Sequence, residues 1–135
     1  MPFSPLYMTE STLTLGTTAT DFAAEISGAR LVPTSSSASW KGLKPGSVFT
    51  KAGLATWVLT VNCGQDHELA TSLSTYLYEH EGEEVPFVLE PVDGGTGFNG
   101  LCIVQAGEIG GDVDTFGTAT VTMPVQGKPT RTPAV

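Results

Sequence analysis

Two segments decide how this chain folds: FNGLCIVQA at residues 98–106 and FGTATVTMPV at residues 116–125, separated by an acidic, glycine-broken turn. In the second, Ala119, Val121, Met123 and Val125 fall on one side, with Thr118, Thr120 and Thr122 on the other. Alternation with period two predicts a strand with one buried face. The opposite face is hydroxylated and uncharged, which suits water, a channel wall or a neighbouring subunit.

Outward from this pair, the pattern stays mainly β. Residues 13–15 predict a short strand after an arm containing Pro2 and Pro5. Residues 20–32 read as a strand with Phe22, Ala24 and Ile26 on one face and a bulge or bend at Gly28. Residues 54–63 predict a central strand, in which Trp57, Leu59, Val61 and Cys63 face together. One helix is expected over residues 66–80, with Leu69, Leu73, Tyr76 and Leu77 forming an apolar stripe. Asp66 fits its N-cap, and Gly82 its end. Val85, Phe87 and Leu89 alternate next, and Pro86, which lacks a ladder donor, predicts an edge strand or a strand start.

Residues 33–53 form a polar, basic excursion of about 20 residues, longer than an ordinary connection and of the kind that is mobile or functional. Trp40 and the neighbouring Val48 and Phe49 predict that it docks onto something. The expected architecture is an antiparallel β-sandwich or partly closed barrel with one flanking α-helix. It forms a single domain over residues 1–135, with an N-terminal arm (1–12), a long basic loop (33–53) and a C-terminal tail (128–135).

The chain carries a formal charge of −8, unevenly spread. No acid falls between Ile26 and Gln65, where Arg30, Lys41, Lys44 and Lys51 lie; the rest holds all 14 acids against Lys128 and Arg131. Two readings are open: charge drifting among solvated loops, or a basic segment of one copy meeting an acidic rim of the next. Without a basic stripe to displace counterions, the composition argues against tight nucleic-acid binding. No apolar run is long enough for a bilayer span, so no membrane insertion is expected, and no signal peptide is read at the N-terminus.

Little in the chain suggests catalysis. Ser35, Ser36, Ser37 and Ser39 have no neighbouring histidine, and His67 and His80 are expected to face solvent. Glu79, Glu81, Glu83, Glu84, Glu90 and Asp93 cluster in sequence around a turn, without a cleft. Asp112 and Asp114 lack the ligand run of a calcium loop, and residues 127–130 lack the glycine pattern of a phosphate loop. Cys63 and Cys102 lack metal-site spacing and read first as buried thiols, which fits reducing, cytoplasmic synthesis, with a disulfide or a reactive nucleophile as the alternatives. No cofactor, no metal and no enzymatic activity are expected.

Several phrases resemble the major tail protein, or tail tube protein, of long-tailed non-contractile bacteriophages. They are WVLTV (57–61), Gln65-Asp66 leading into residues 69–78, GEEVPF (82–87), FNG (98–100), GGDVD (110–114) and residues 119–125 followed by QGKP. That resemblance implies a sandwich or barrel-like domain in six-membered rings. The rings stack head to tail around a tape measure protein, between terminator and distal tail proteins, and double-stranded DNA passes through the bore. It also implies a virion tail location after assembly in the host cytoplasm.

Carried onto this chain, the expected assembly arm comprises Arg30, Trp40, Lys41, Lys44, Phe49 and Lys51. Its expected acidic stacking partners are Glu81, Glu83, Glu84 and Asp93. The expected lumen or subunit-contact face is Thr118, Thr120 and Thr122. Competing readings are a tail terminator or neck protein, a carbohydrate-binding module using Trp40, Trp57 or Tyr76, and a hydrolase using the residue 79–93 acids.

Overall fold

The computed structural model describes residues 3, 5–16 and 20–133. Pro2 and part of the expected N-terminal arm, and the last two residues of the expected tail, lie outside the described residues. In chain order the elements are β1 (Thr12–Leu15), β2 (Thr20–Asp21), a 3-10 turn (Ala23–Glu25), β3 (Ile26–Thr34), β4 (Ser37–Lys41) and β5 (Val48–Ala52). Then come β6 (Thr56–Gly64), α1 (Leu73–Glu79), β7 (Glu84–Glu90), β8 (Gly97–Ile103), β9 (Thr118–Pro124) and β10 (Thr130–Thr132).

Two antiparallel sheets form a sandwich: a five-stranded sheet ordered β10-β8-β7-β1-β2 and a three-stranded sheet ordered β3-β6-β9. They do not close into a barrel. Their inner faces come from the expected alternation. Leu59, Val61 and Cys63 of β6 lie beside Met123, Val121 and Ala119 of β9 in register, and all six are buried. Across from them pack Leu13, Leu15, Phe87, Leu89 and Cys102 of the larger sheet.

Segments 98–106 and 116–125 are therefore not a hairpin. β8 belongs to the five-stranded sheet and β9 to the three-stranded one, and an isolated bridge joins Cys102 of β8 to Val125, one residue past β9. Each needs a different neighbour to bury its apolar face, and residues 104–117 carry the chain from one layer to the other.

Several other expectations are corrected. The expected strand over 20–32 is broken at Ala23–Glu25 by the 3-10 turn, where Asp21 Oδ1 accepts the Ala23 N–H at 3.0 Å. The bulge at Gly28 is present, as a register shift against β6. The helix is only seven residues long and starts at Leu73, because Ser72 caps it by accepting the Thr75 N–H. Asp66 instead closes a separate turn by accepting the Glu68 and Leu69 N–H groups. Leu69 is thus 55% exposed, whereas Leu73 and Leu77 are buried. Gly82 does end this region, in the left-handed conformation that glycine tolerates.

β7 is interior rather than an edge strand, flanked by β1 and β8. In an antiparallel ladder a residue's N–H and C=O point to the same neighbour. The Pro86 carbonyl accepts the Gly16 N–H at 2.9 Å, just past the end of β1. Its donor-less nitrogen therefore faces Gly16 at the very end of the β1 ladder, so what is lost is one bond of the terminal pair rather than one in the middle of the sheet. The expected C-terminal tail is also partly ordered, since Thr130–Thr132 add β10 to the edge of β8.

Glu25, in the 3-10 turn that breaks the expected 20–32 strand, reaches across to α1. Its carboxylate accepts the Leu73 N–H at 3.0 and 3.2 Å. This fills an orphan donor at the helix start and places negative charge where the peptide dipole favours it. We expect Glu25→Ala to destabilise the domain by about 1–2 kcal/mol, measured by urea unfolding with an unchanged slope.

Candidate assembly surfaces

The region read as a long loop is an ordered two-stranded ribbon. β4 and β5 pair with each other alone, and every residue in both strands is exposed. Lys44-Pro45-Gly46-Ser47 makes its tip: the Ser47 N–H donates to the Lys44 carbonyl at 3.1 Å, and Gly46 supplies a φ of 83°. That conformation excludes most side chains and explains the Pro-Gly pair.

Register gives the ribbon two different faces. Trp40 pairs with Phe49, their ring centroids 6.1 Å apart, and both are more than 60% exposed, at 63% and 65%. Lys51 shares this face, opposite Ala38. On the other face Ser39 and Thr50 share a hydrogen bond at 3.0 Å beside the Lys41–Val48 pair. Isolated two-stranded hairpins are marginal in water, so an exposed aromatic pair on one is a candidate contact surface. Lys44 sits at the tip. Arg30, expected with this group, lies instead on β3.

The outer face of the three-stranded sheet is the second surface. Thr118, Thr120 and Thr122 lie across from Gly64, Asn62 and Thr60. The Thr120 hydroxyl donates to Asn62 Oδ1 at 2.8 Å. Arg30 pairs with Thr60 in register and is the one charged residue on this face. The surface is hydroxyl- and amide-rich, and two of its strands, β3 and β9, are sheet edges.

The acids expected as stacking partners do not form one cluster. Glu81, Glu83 and Glu84 lie at the start of β7, whereas Asp93 lies beyond its far end. A different acidic segment stands out. Residues 108–116 form a loop at the Gly64 end of the small sheet, carrying Glu108, Asp112 and Asp114. The Gln65 side chain holds it, donating to the Gly110 and Thr118 carbonyls at 2.8 and 2.9 Å and accepting the Gly110 N–H at 2.9 Å. Sequence alternation gave no hint of this clamp, because it depends on one amide meeting three backbone groups distant in sequence.

Basic charge gathers elsewhere. Lys41, Lys44 and Lys51 lie on the ribbon, which leaves the small sheet at its Thr34–Thr56 end. Arg30, Lys128 and Arg131 line an apolar groove near Trp57. Those are all six lysines and arginines of the chain. Among the described residues, the one ion-pair contact is His80 with Glu83, so no lysine or arginine is paired to a carboxylate.

The remaining reactive groups are quiet. His80, expected in solvent, is half-buried and stacks on Tyr76 with centroids 4.4 Å apart. His67 is exposed and bonded to Gln65. Cys63 and Cys102 are buried and free. Burial pushes the Cys102 thiol up to about 11. Burial, then the nearby Glu25 charge, raises that of Cys63. Among the described residues no group of three metal-ligating side chains comes together, and no helix is long and apolar enough to cross a membrane. Trp57 and Tyr76 pack against the core, leaving Trp40 as the exposed aromatic of the expected sugar platform.

No protein-family model matches this chain, and no curated protein does. Among solved structures, it resembles a chain of the virion of a native gene transfer agent particle. The TM-score is 0.67 at 11% identity, covering 90% of this chain and 95% of the other. At that identity the two share a fold.

The thiols give a direct check on the core. An unfolded chain ionises Cys102 near its ordinary value of 9.0, the folded chain only near about 11. Its stabilising contribution is complete below pH 9 and falls as pH rises from about 9 to 11. We expect thermal stability to drop across that window, with a shallower drop in Cys102→Ala, and neither thiol to react with a disulfide reagent until the chain unfolds.

Proposed function

We propose that this chain is a structural subunit of a phage-like virion that self-assembles into stacked, six-membered rings forming a tail tube. One observation carries the reading: a fully exposed, lysine-bearing ribbon with an unpartnered Trp40–Phe49 pair projects from a sandwich whose fold recurs in a virion particle. Such a ribbon becomes useful when a neighbour covers its aromatic face. Its lysines complement the acid-rich remainder of the chain, and an asymmetric contact of this kind repeats along an axis.

In this reading the ribbon is the arm between subunits or rings. The free edges of the small sheet offer strand pairing that would remove exposed edges. The threonine face of β9 lines the bore, where hydroxyls and few cations leave DNA phosphates nothing to grip. The tape measure protein occupies the bore during assembly, and terminator and distal tail proteins close its ends. A terminator would use the same surfaces but stop after one ring; indefinite growth separates the two.

Thr34 and Thr56 are cross-strand partners, so the arm can be removed cleanly. Replacing residues 35–55 with Asn-Gly should close β3 onto β6 in a tight hairpin. We expect that variant to keep its melting temperature within a few degrees of the parent, about the effect of 1 kcal/mol or less. Negative-stain microscopy should show tubes from the parent and none from the variant; equal tube growth by both would remove the arm role.

The bore assignment has its own check. Thr120→Lys should leave the isolated domain folded. Particles carrying it should assemble poorly or deliver DNA less well, as read by transduction titre. Normal titre would place Thr120 outside bore and interface.

A further inference from the structure

We propose that the acidic 108–116 loop of one copy docks into the basic-rimmed apolar groove at the opposite end of a second copy. This deepens the self-assembly reading and rests on it for the identity of the partner. The groove has a volume of about 570 Å³. Leu31, Trp57, Leu89 and Phe98 contribute to its apolar lining together with Leu6 and Met8 of the N-terminal segment; Arg30, Lys128 and Arg131 also line it, and among the described residues no carboxylate does.

The origin of the groove is visible in the strand register. Leu89 and Phe98 continue as a row onto Arg131 of the edge strand β10. Leu31 and Trp57 belong to the facing sheet, where β3 is the edge. The two layers meet incompletely here, so inner-face side chains reach the surface with cations around them. Such a site calls for an occupant that is both apolar and acidic.

The 108–116 loop is that kind of segment. Ile109, Val113 and Phe116 are 66%, 87% and 98% exposed, interleaved with Glu108, Asp112 and Asp114. It is also shaped in advance. Gln65 clamps Gly110, the Thr115 hydroxyl donates to the Asp112 carbonyl at 3.0 Å, and Asp114 holds a φ of 66°. Less ordering entropy is then lost on docking.

The two surfaces cannot meet within one molecule. Trp57 and Gly64 mark opposite ends of β6, roughly 23 Å apart at the usual rise per residue. A loop-to-groove contact therefore joins two copies, and where it is not reciprocated it leaves a free loop and a free groove to continue the series.

Two variants isolate one such contact. Val113→Asp with Phe116→Asp disables the loop, and Lys128→Glu with Arg131→Glu disables the groove; all four positions are exposed in the monomer. The loop-disabled chain, labelled with nitrogen-15, is titrated with the unlabelled groove-disabled chain. The expected result is a saturable shift of the Trp57 indole N–H, with apparent affinity at least about tenfold weaker when the added chain also lacks its loop residues. An unmoved indole, or an equal shift with the loop-lacking partner, overturns the proposal. Microscopy of the parent chain keeps the two readings separate: tubes with an unmoved indole remove this contact alone, and no tubes with an unmoved indole remove both.

Discussion

Everything else in this molecule depends on the inner face of β6. Leu59, Val61 and Cys63 are buried on the sandwich side, and β6 lies between β3 and β9 and pairs with both. Burial of apolar surface against the larger sheet is what commits the three strands to one register, since a slip of one residue would turn that row outward. Once the register is set, the outer row of Thr60 and Asn62 must face away, the Thr120 hydroxyl must find Asn62, and the Gly64 end must meet Gln65 and its loop. Surface chemistry follows from core geometry.

The unequal widths of the sheets have a second effect. Five strands face three, so the small sheet cannot cover the large one, and a groove lined by residues of β3, β6, β8 and β10 stays open between the layers. Inner-face residues such as Trp57 and Phe98 are only part-buried there. An inward-row arginine on β10 discourages an arbitrary strand from adding to that edge. The same imperfection that costs burial in the monomer leaves apolar area available to a partner of the right charge.

Strands were legible in the sequence wherever one face is apolar and the other polar. β6, β7 and β9 follow their alternation closely. The helix was over-read because Leu69 fits the stripe by spacing, while Ser72, three residues later, is the better cap. Pro86 was misplaced because a proline's cost depends on which neighbour its nitrogen faces, and that is a property of register. The ribbon is not legible as structure because both faces are exposed and its pattern lacks a buried side; pairing of β4 with β5 is what brings Trp40, Phe49, Lys41 and Lys51 onto one element. Long-range contacts, such as Glu25 to α1 and Gln65 to Gly110, leave no periodic trace at all.

The gathering of every lysine and arginine on the ribbon or beside the groove has an unplanned consequence for proteolysis. Trypsin cuts only after those residues, and Lys44 and Lys128 are each followed by proline, which blocks it. Arg30, Lys41, Lys51 and Arg131 remain, all exposed in the single chain. Digestion of this protein therefore samples the ribbon and groove surfaces and is blind to the acidic loop.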